Sequence, residues 1–149
     1  MVMALYSDFR IASEQAVFAT AFAKRGLIAE HGIAWMLPRI VGHANATDLL
    51  LTSRKIDAAE ALRMGLVNRV VAGDRLLPEA LALARTLSTE VSPRSVHVMK
   101  RQLWEAPYQT LGEAVALANT EMFTSIQSED FREGVAHFQE RRPARFTGR

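Results

Sequence analysis

The sequence predicts an α/β chain in which a few short strands come early and helices fill the rest. Three observations predict it. Residues 8–12 and 16–19 are short apolar-rich stretches separated by polar Ser13-Glu14-Gln15, the pattern of strands joined by a turn. Residues 66–71 are rich in β-branched side chains and lie between Gly65 and Gly73, which reads as another strand. From residue 74 onward apolar residues recur three and four positions apart in one segment after another, the period of helices.

Residues 1–6 are apolar but far too few to span a bilayer, and they lack the charged start and small-residue cleavage site of a signal peptide, so they read as a cut helix. The two strands that follow belong to a sheet whose other strands lie largely outside the sequence. Gly32 opens an apolar helix, Ile33-Ala34-Trp35-Met36-Leu37, and residues 45–52 form the next one. In residues 57–64 Asp57 is the expected N-cap, Glu60 its capping-box partner and Gly65 the stop. Asp74 is expected to cap a helix that carries Leu77, Leu81, Ala84 and Leu87 on one face. Ser92-Pro93 opens another, proline being favourable at the first helical position, with Val96, Met99 and Leu103 aligned. Leu111, Val115, Ala118 and Met122 line a further helix, and residues 128–141 form the last. No repeat or low-complexity tract divides the chain. Its 149 residues, 49% of them hydrophobic, supply one core, so a single domain over residues 1–149 is expected.

Composition narrows the function. The formal net charge is only +2 and the basic residues are dispersed, apart from Arg141, Arg142, Arg145 and Arg149 at the end, which gives nucleic acid little support. Cysteine is absent, so disulfides and thiolate metal sites are excluded, in keeping with a reducing, cytoplasmic setting. The four histidines, His31, His43, His97 and His137, show no ligand spacing, and no metal or separate cofactor is expected. The apolar stripes of the last helices, with Trp104 and Phe123, exceed what a short sheet needs and imply a partner; a purely internal core is the alternative.

One acid stands out. Glu30 lies between Gly26-Leu27-Ile28-Ala29 and the helix opened by Gly32, at or just before a helix start and with little polar company. Apolar surroundings and a helix N-terminus act on such a carboxyl in opposite senses. It is placed either to shuttle a proton or to cap the orphan N–H groups of the helix, and the residues alone leave both open.

Several motifs resemble those of the crotonase superfamily, the enoyl-CoA hydratases and isomerases. Ser7-Asp8-Phe9-Arg10-Ile11-Ala12 is similar to its C-D-I-R-I-A strand and Ala16-Val17-Phe18 to its A-x-F. Gly26-Leu27-Ile28, Gly32 and Leu37-Pro38-Arg39-Ile40-Val41-Gly42 resemble its G-L-x-P-x-x-G and L-P-R-x-V-G block. The most specific match is Leu51-Thr52-Ser53-Arg54-Lys55-Ile56-Asp57-Ala58-Ala59-Glu60-Ala61 with Gly65-Leu66-Val67-Asn68, against L-T-G-R-x-I-x-A-x-E-A and G-L-V-N. Arg132-Glu133-Gly134 and Phe138-Gln139-Glu140-Arg141-Arg142-Pro143 resemble the E-G and F-x-E-K-R-x-P close.

The resemblance implies a crotonase-like (ClpP/crotonase) spiral fold truncated at the N-terminus. Residues 1–71 would be a remnant of its β–β–α core, and residues 74–149 a helical region that assembles trimers or hexamers. It implies an acyl-CoA substrate, coenzyme A being part of the substrate. The loop and glycine that supply the oxyanion N–H donors would precede Met1. Of the two hydratase glutamates, one falls at Val2 and the other at Phe22, so the two-glutamate hydratase pattern is broken. Leu27-Ile28-Ala29-Glu30-His31-Gly32 instead resembles the L-I-x-E-G motif of Δ3,Δ2-enoyl-CoA isomerases, which makes Glu30 the catalytic base. Phe22 would wall the acyl pocket, His31 tune the acid or donate to substrate, and Phe123 and Arg141 meet the coenzyme A end. The alternatives are an enoyl-CoA hydratase and a catalytically incomplete fragment that keeps only the assembly surface.

Overall fold

The computed structural model describes all residues 1–149, which divide into two compact units, Met1–Ala80 and Leu81–Arg149. The first opens with α1 (Val2–Leu5), β1 (Ile11–Ser13) and β2 (Val17–Phe18), then α2 (Ile33–Val41) and α3 (His43–Thr52). It continues through β3 (Ile56–Asp57), α4 (Ala58–Arg63) and β4 (Arg69–Val71). β1 and β2 are joined by the expected turn, closed by Ala16 N–H donating to Ser13 O at 3.0 Å, but they do not pair with each other. β1 pairs parallel with β4, Ala12 opposite Val70, and β2 pairs antiparallel with β3, Phe18 opposite Ile56. Both partners lie some forty residues or more downstream, beyond the reach of local pattern.

The core lies in this unit. α2 repeats apolar residues at helical spacing, and Ile33, Met36, Leu37 and Val41 are all buried, Ile33 and Leu37 completely. Burying a side chain of that kind stabilises by about 2 kcal/mol. Leu5, Ala12, Leu49, Ile56, Ala61 and Leu66 close around them.

Three local expectations are corrected here. Asp57 caps α4, accepting the Glu60 N–H at 2.8 Å, but Glu60 does not complete a capping box. Both its oxygens are taken by Arg54, at 3.0 and 2.5 Å, and a two-armed charge-assisted pair outcompetes one backbone N–H. The strand expected at residues 66–71 begins at Arg69: Gly65, at φ 76°, ends α4, and Leu66 N–H returns to Ala61 O at 2.8 Å, so Leu66 and Val67 pack into the core. Asp74 makes no cap either. It sits inside a 3₁₀ turn, Gly73–Arg75, that runs straight into α5 (Leu76–Thr89).

The second unit is helical: the end of α5, then α6 (Pro93–Glu105), α7 (Leu111–Ile126) and α8 (Glu129–Glu140). Its helix starts follow side-chain chemistry. Ser92 caps α6 with proline at its first turn, Thr110 and Glu113 form a full capping box on α7, and Ser128 caps α8. Glu121 of α7 binds Arg94 and Arg101 of α6. Only Ser92 and Asp130 are buried in this unit, while Leu103, Leu111 and Phe138 are at least three-quarters exposed. No helix is long and apolar enough to cross a membrane.

Candidate active site

The turn before α2 takes left-handed backbone conformations at two consecutive residues, His31 at φ 54° and Gly32 at 69°. Glycine adopts them freely, whereas His31 does so under strain. Gly32 is the N-cap of α2 and no side chain caps that helix, so Glu30 is not the cap the sequence allowed for. Its main-chain carbonyl accepts the Ile33 N–H at 3.1 Å, and its half-buried carboxylate makes no hydrogen bond or ion pair. Leu27 and Ile28, expected to give it apolar cover, point outward, Ile28 81% exposed, and Ala29 alone of that run packs on the core.

Beside this turn is the loop of residues 20–26. Thr20 is buried and its hydroxyl donates to Leu49 O at 2.8 Å. Ser53, buried at the C-cap of α3 with φ 48°, accepts the Ala23 N–H at 3.1 Å. These contacts hold Ala21, itself at φ 61°, and Phe22, which packs half-buried on the core. Thr20 and Ser53 escaped the sequence reading as site residues, although Ser53 stands where the resembled L-T-G-R motif has glycine.

Loop and turn border an open hollow of about 300 Å³ lined by Val2, Met3, Thr20, Phe22, His31 and Ile33, among others. Val2 and Phe22, the two positions at which hydratase glutamates fall by resemblance, thus both line this hollow, and both are apolar. His31 lines the hollow; Glu30 precedes it in the chain but is not itself among the lining residues. Phe123 and Arg141 belong to the second unit: Phe123 stands on α7, 62% exposed, and Arg141 is the left-handed C-cap of α8. Its neighbour Arg142 takes the ion pairs, with Glu133 and Glu140, leaving the Arg141 guanidinium without a partner. No three His, Asp or Glu side chains converge as metal ligands.

A profile of the enoyl-CoA hydratase/isomerase family matches residues 1–149. A probable enoyl-CoA hydratase of Mycobacterium leprae, echA8, is 39% identical over 147 residues, covering 99% of this chain and 57% of that protein. The 1,2-epoxyphenylacetyl-CoA isomerase of Escherichia coli K12 is 35% identical, covering 99% and 56%. Among solved structures, a probable enoyl-CoA hydratase/isomerase from Mycobacterium abscessus superposes with a TM-score of 0.96 at 34% identity, over 100% of this chain and 58% of that one. The chain therefore spans a little over half the length of the relatives it matches.

Proposed function

From the premise that the chain belongs to the enoyl-CoA hydratase/isomerase family and has its crotonase-like fold, we propose that it serves an acyl-CoA isomerase in which Glu30 is the single base. Glu30 takes a proton from C2 of a 3-enoyl thioester and returns it to C4. The thioester oxygen carries the enolate charge in between and needs N–H donors, each worth roughly 3 kcal/mol; by resemblance these come from the part of the relatives that this chain does not match. Phe22 walls the acyl chain, His31 faces the substrate from the turn, and Phe123 and Arg141 meet the coenzyme A end in an assembled trimer or hexamer.

One observation carries the reading: the hollow is apolar at Val2 and Phe22, and Glu30, which precedes the hollow-lining His31 in the chain, has an uncommitted carboxylate. An apolar side chain neither orients water nor exchanges a proton. The E. coli relative, named for isomerising 1,2-epoxyphenylacetyl-CoA, supports isomerase chemistry on an acyl-CoA, though on an epoxide and not a double bond. A second reading, hydration of a 2-enoyl-CoA, is favoured by the hydratase names of the mycobacterial relatives. Assays with 3-enoyl-CoA and 2-enoyl-CoA, on the chain as it stands and on the chain extended to its relatives' length, separate these readings. Double-bond migration that needs Glu30 supports the isomerase. Hydration that persists in Glu30→Gln supports the hydratase, and silence in both forms leaves an assembly surface alone.

A further inference from the structure

A carboxylate with no side-chain partner is aimed by its backbone, so whatever holds residues 30–32 decides where the Glu30 oxygens lie. Two consecutive residues of that turn are left-handed, and one of them, His31, lacks the glycine that would make this easy. Such a turn needs an outside hold. The Glu30 carbonyl is engaged within the turn by Ile33 N–H. The His31 carbonyl is engaged from outside it: the Tyr6 hydroxyl, 25 residues earlier at the end of α1, donates to it at 2.6 Å. A β-carbon on Gly32 would lie 2.9 Å from that same oxygen, so the hydroxyl is seated against the turn itself. The other end of the contact is also tied down, because the Tyr6 N–H donates to Met3 O at 3.3 Å and Met3 lines the hollow.

We propose that Tyr6 is a positioning residue for proton transfer by Glu30: its hydroxyl locks the His31-Gly32 pair and so sets the direction in which Glu30 and His31 leave the backbone. The proposal rests on the reading of Glu30 as the base. Without the hydroxyl, His31 is free to relax toward negative φ and swing its neighbour, and displacement of a catalytic group by about an ångström lowers a rate by up to roughly 100-fold.

Tyr6→Phe tests it, since the ring is kept and one exposed oxygen is lost. On the 149-residue chain the melting midpoint is expected to stay within about 3 °C of the parent, while amide exchange at Ile33, whose N–H is bonded within the turn, rises. On the chain extended to its relatives' length, kcat for 3-enoyl-CoA is expected to fall about 10-fold or more with KM within about twofold, because orientation and not substrate affinity is lost. Glu30→Gln is measured alongside. If Glu30→Gln is inactive but Tyr6→Phe keeps the parent kcat, or if exchange at Ile33 is unchanged, the positioning role is overturned while the base stands. If Glu30→Gln turns over at the parent rate, the base reading falls and takes this proposal with it.

Discussion

The hydroxyl oxygen of Ser53 accepts the Ala23 N–H at 3.1 Å while Ser53 itself holds a φ of 48°. The same residue therefore carries strain at the end of α3 and satisfies the loop that presents Phe22. The two effects separate by substitution. Ser53→Ala keeps the strain and leaves the amide without its partner, which is expected to cost about 1–2 kcal/mol. Ser53→Gly loses the same bond but relieves roughly 1 kcal/mol of strain, so it should cost less. Urea denaturation midpoints in the order parent, glycine, alanine are the expected result, and an alanine variant equal to the parent would show that the hydroxyl does not hold the loop.

In the second unit the C-terminal residues are bound to α8 through carboxylates. Asp130, 4% exposed, accepts from the Ser92 hydroxyl at 2.5 Å and from the Thr147 and Gly148 N–H groups at 2.8 and 3.0 Å. Burial pushes its carboxyl up, but those donors and nearby Arg94 outweigh it and hold the group below its ordinary value. Arg142 draws Glu133 down to about 2, against partial desolvation and with help from the Arg145 N–H. A carboxyl depressed in the folded state contributes stability in full above its unfolded value, about 4, and loses it as pH falls through the folded value. Residues 142–149 are thus expected to stay attached at neutral pH and to release between about pH 4 and pH 2. The edge-on contact of His137 with Phe146, ring centroids 5.9 Å apart, gives an NMR signal for it. Persistence of that contact at pH 2 would count against the carboxylate clamp.

Features set by neighbours in the chain were legible beforehand. Asp57 acts on the N–H three residues on, Gly65 ends a helix by its own conformation, and the starts of α6 at Pro93 and of α8 near residue 128 follow the local sequence. Glu60 was misread because its competitor, Arg54, arrives from the turn before β3, and a capping rule does not see it. Pairing β1 with β4 needed contacts between residues 58 apart, such as Ile11 and Arg69. The site divides the same way. Glu30 stood out from its flanking residues, whereas the hold on its turn comes from Tyr6 and the hold on the Phe22 loop from Ser53, both brought in by tertiary packing.

Self-association is expected of the chain. In the second unit Leu103, Leu111 and Phe138 are 75%, 82% and 80% exposed, and in the first Met3 and Ile28 are 88% and 81% exposed. Monomers rarely leave so many large apolar side chains in water. The short two-stranded sheets also leave an unpaired edge on every strand. Light scattering at micromolar concentration should report a mass above the monomer, with Leu103→Glu and Phe138→Glu lowering it. A clean monomer for the parent chain would refute trimer or hexamer formation by these faces.

The decisive substitution is Glu30→Gln, because structure and chemistry assign it very different effects on stability and on rate. Glutamine keeps the shape of the side chain but cannot take up a proton at neutral pH. The Glu30 carboxylate has no hydrogen bond or ion pair to lose and caps no helix, so the unfolding free energy should change by no more than about 0.5 kcal/mol. Loss of a general base lowers a rate roughly 100-fold or more. In the chain extended to its relatives' length, the 3-enoyl to 2-enoyl shift should therefore vanish from a protein that melts like its parent. Phe22→Glu, with Val2 still apolar across the same hollow, should bring little hydration in return, since one carboxylate lacks its water-handling partner. A Glu30→Gln protein that melts early yet isomerises at the parent rate would make Glu30 structural, and the proton would have to move by another group.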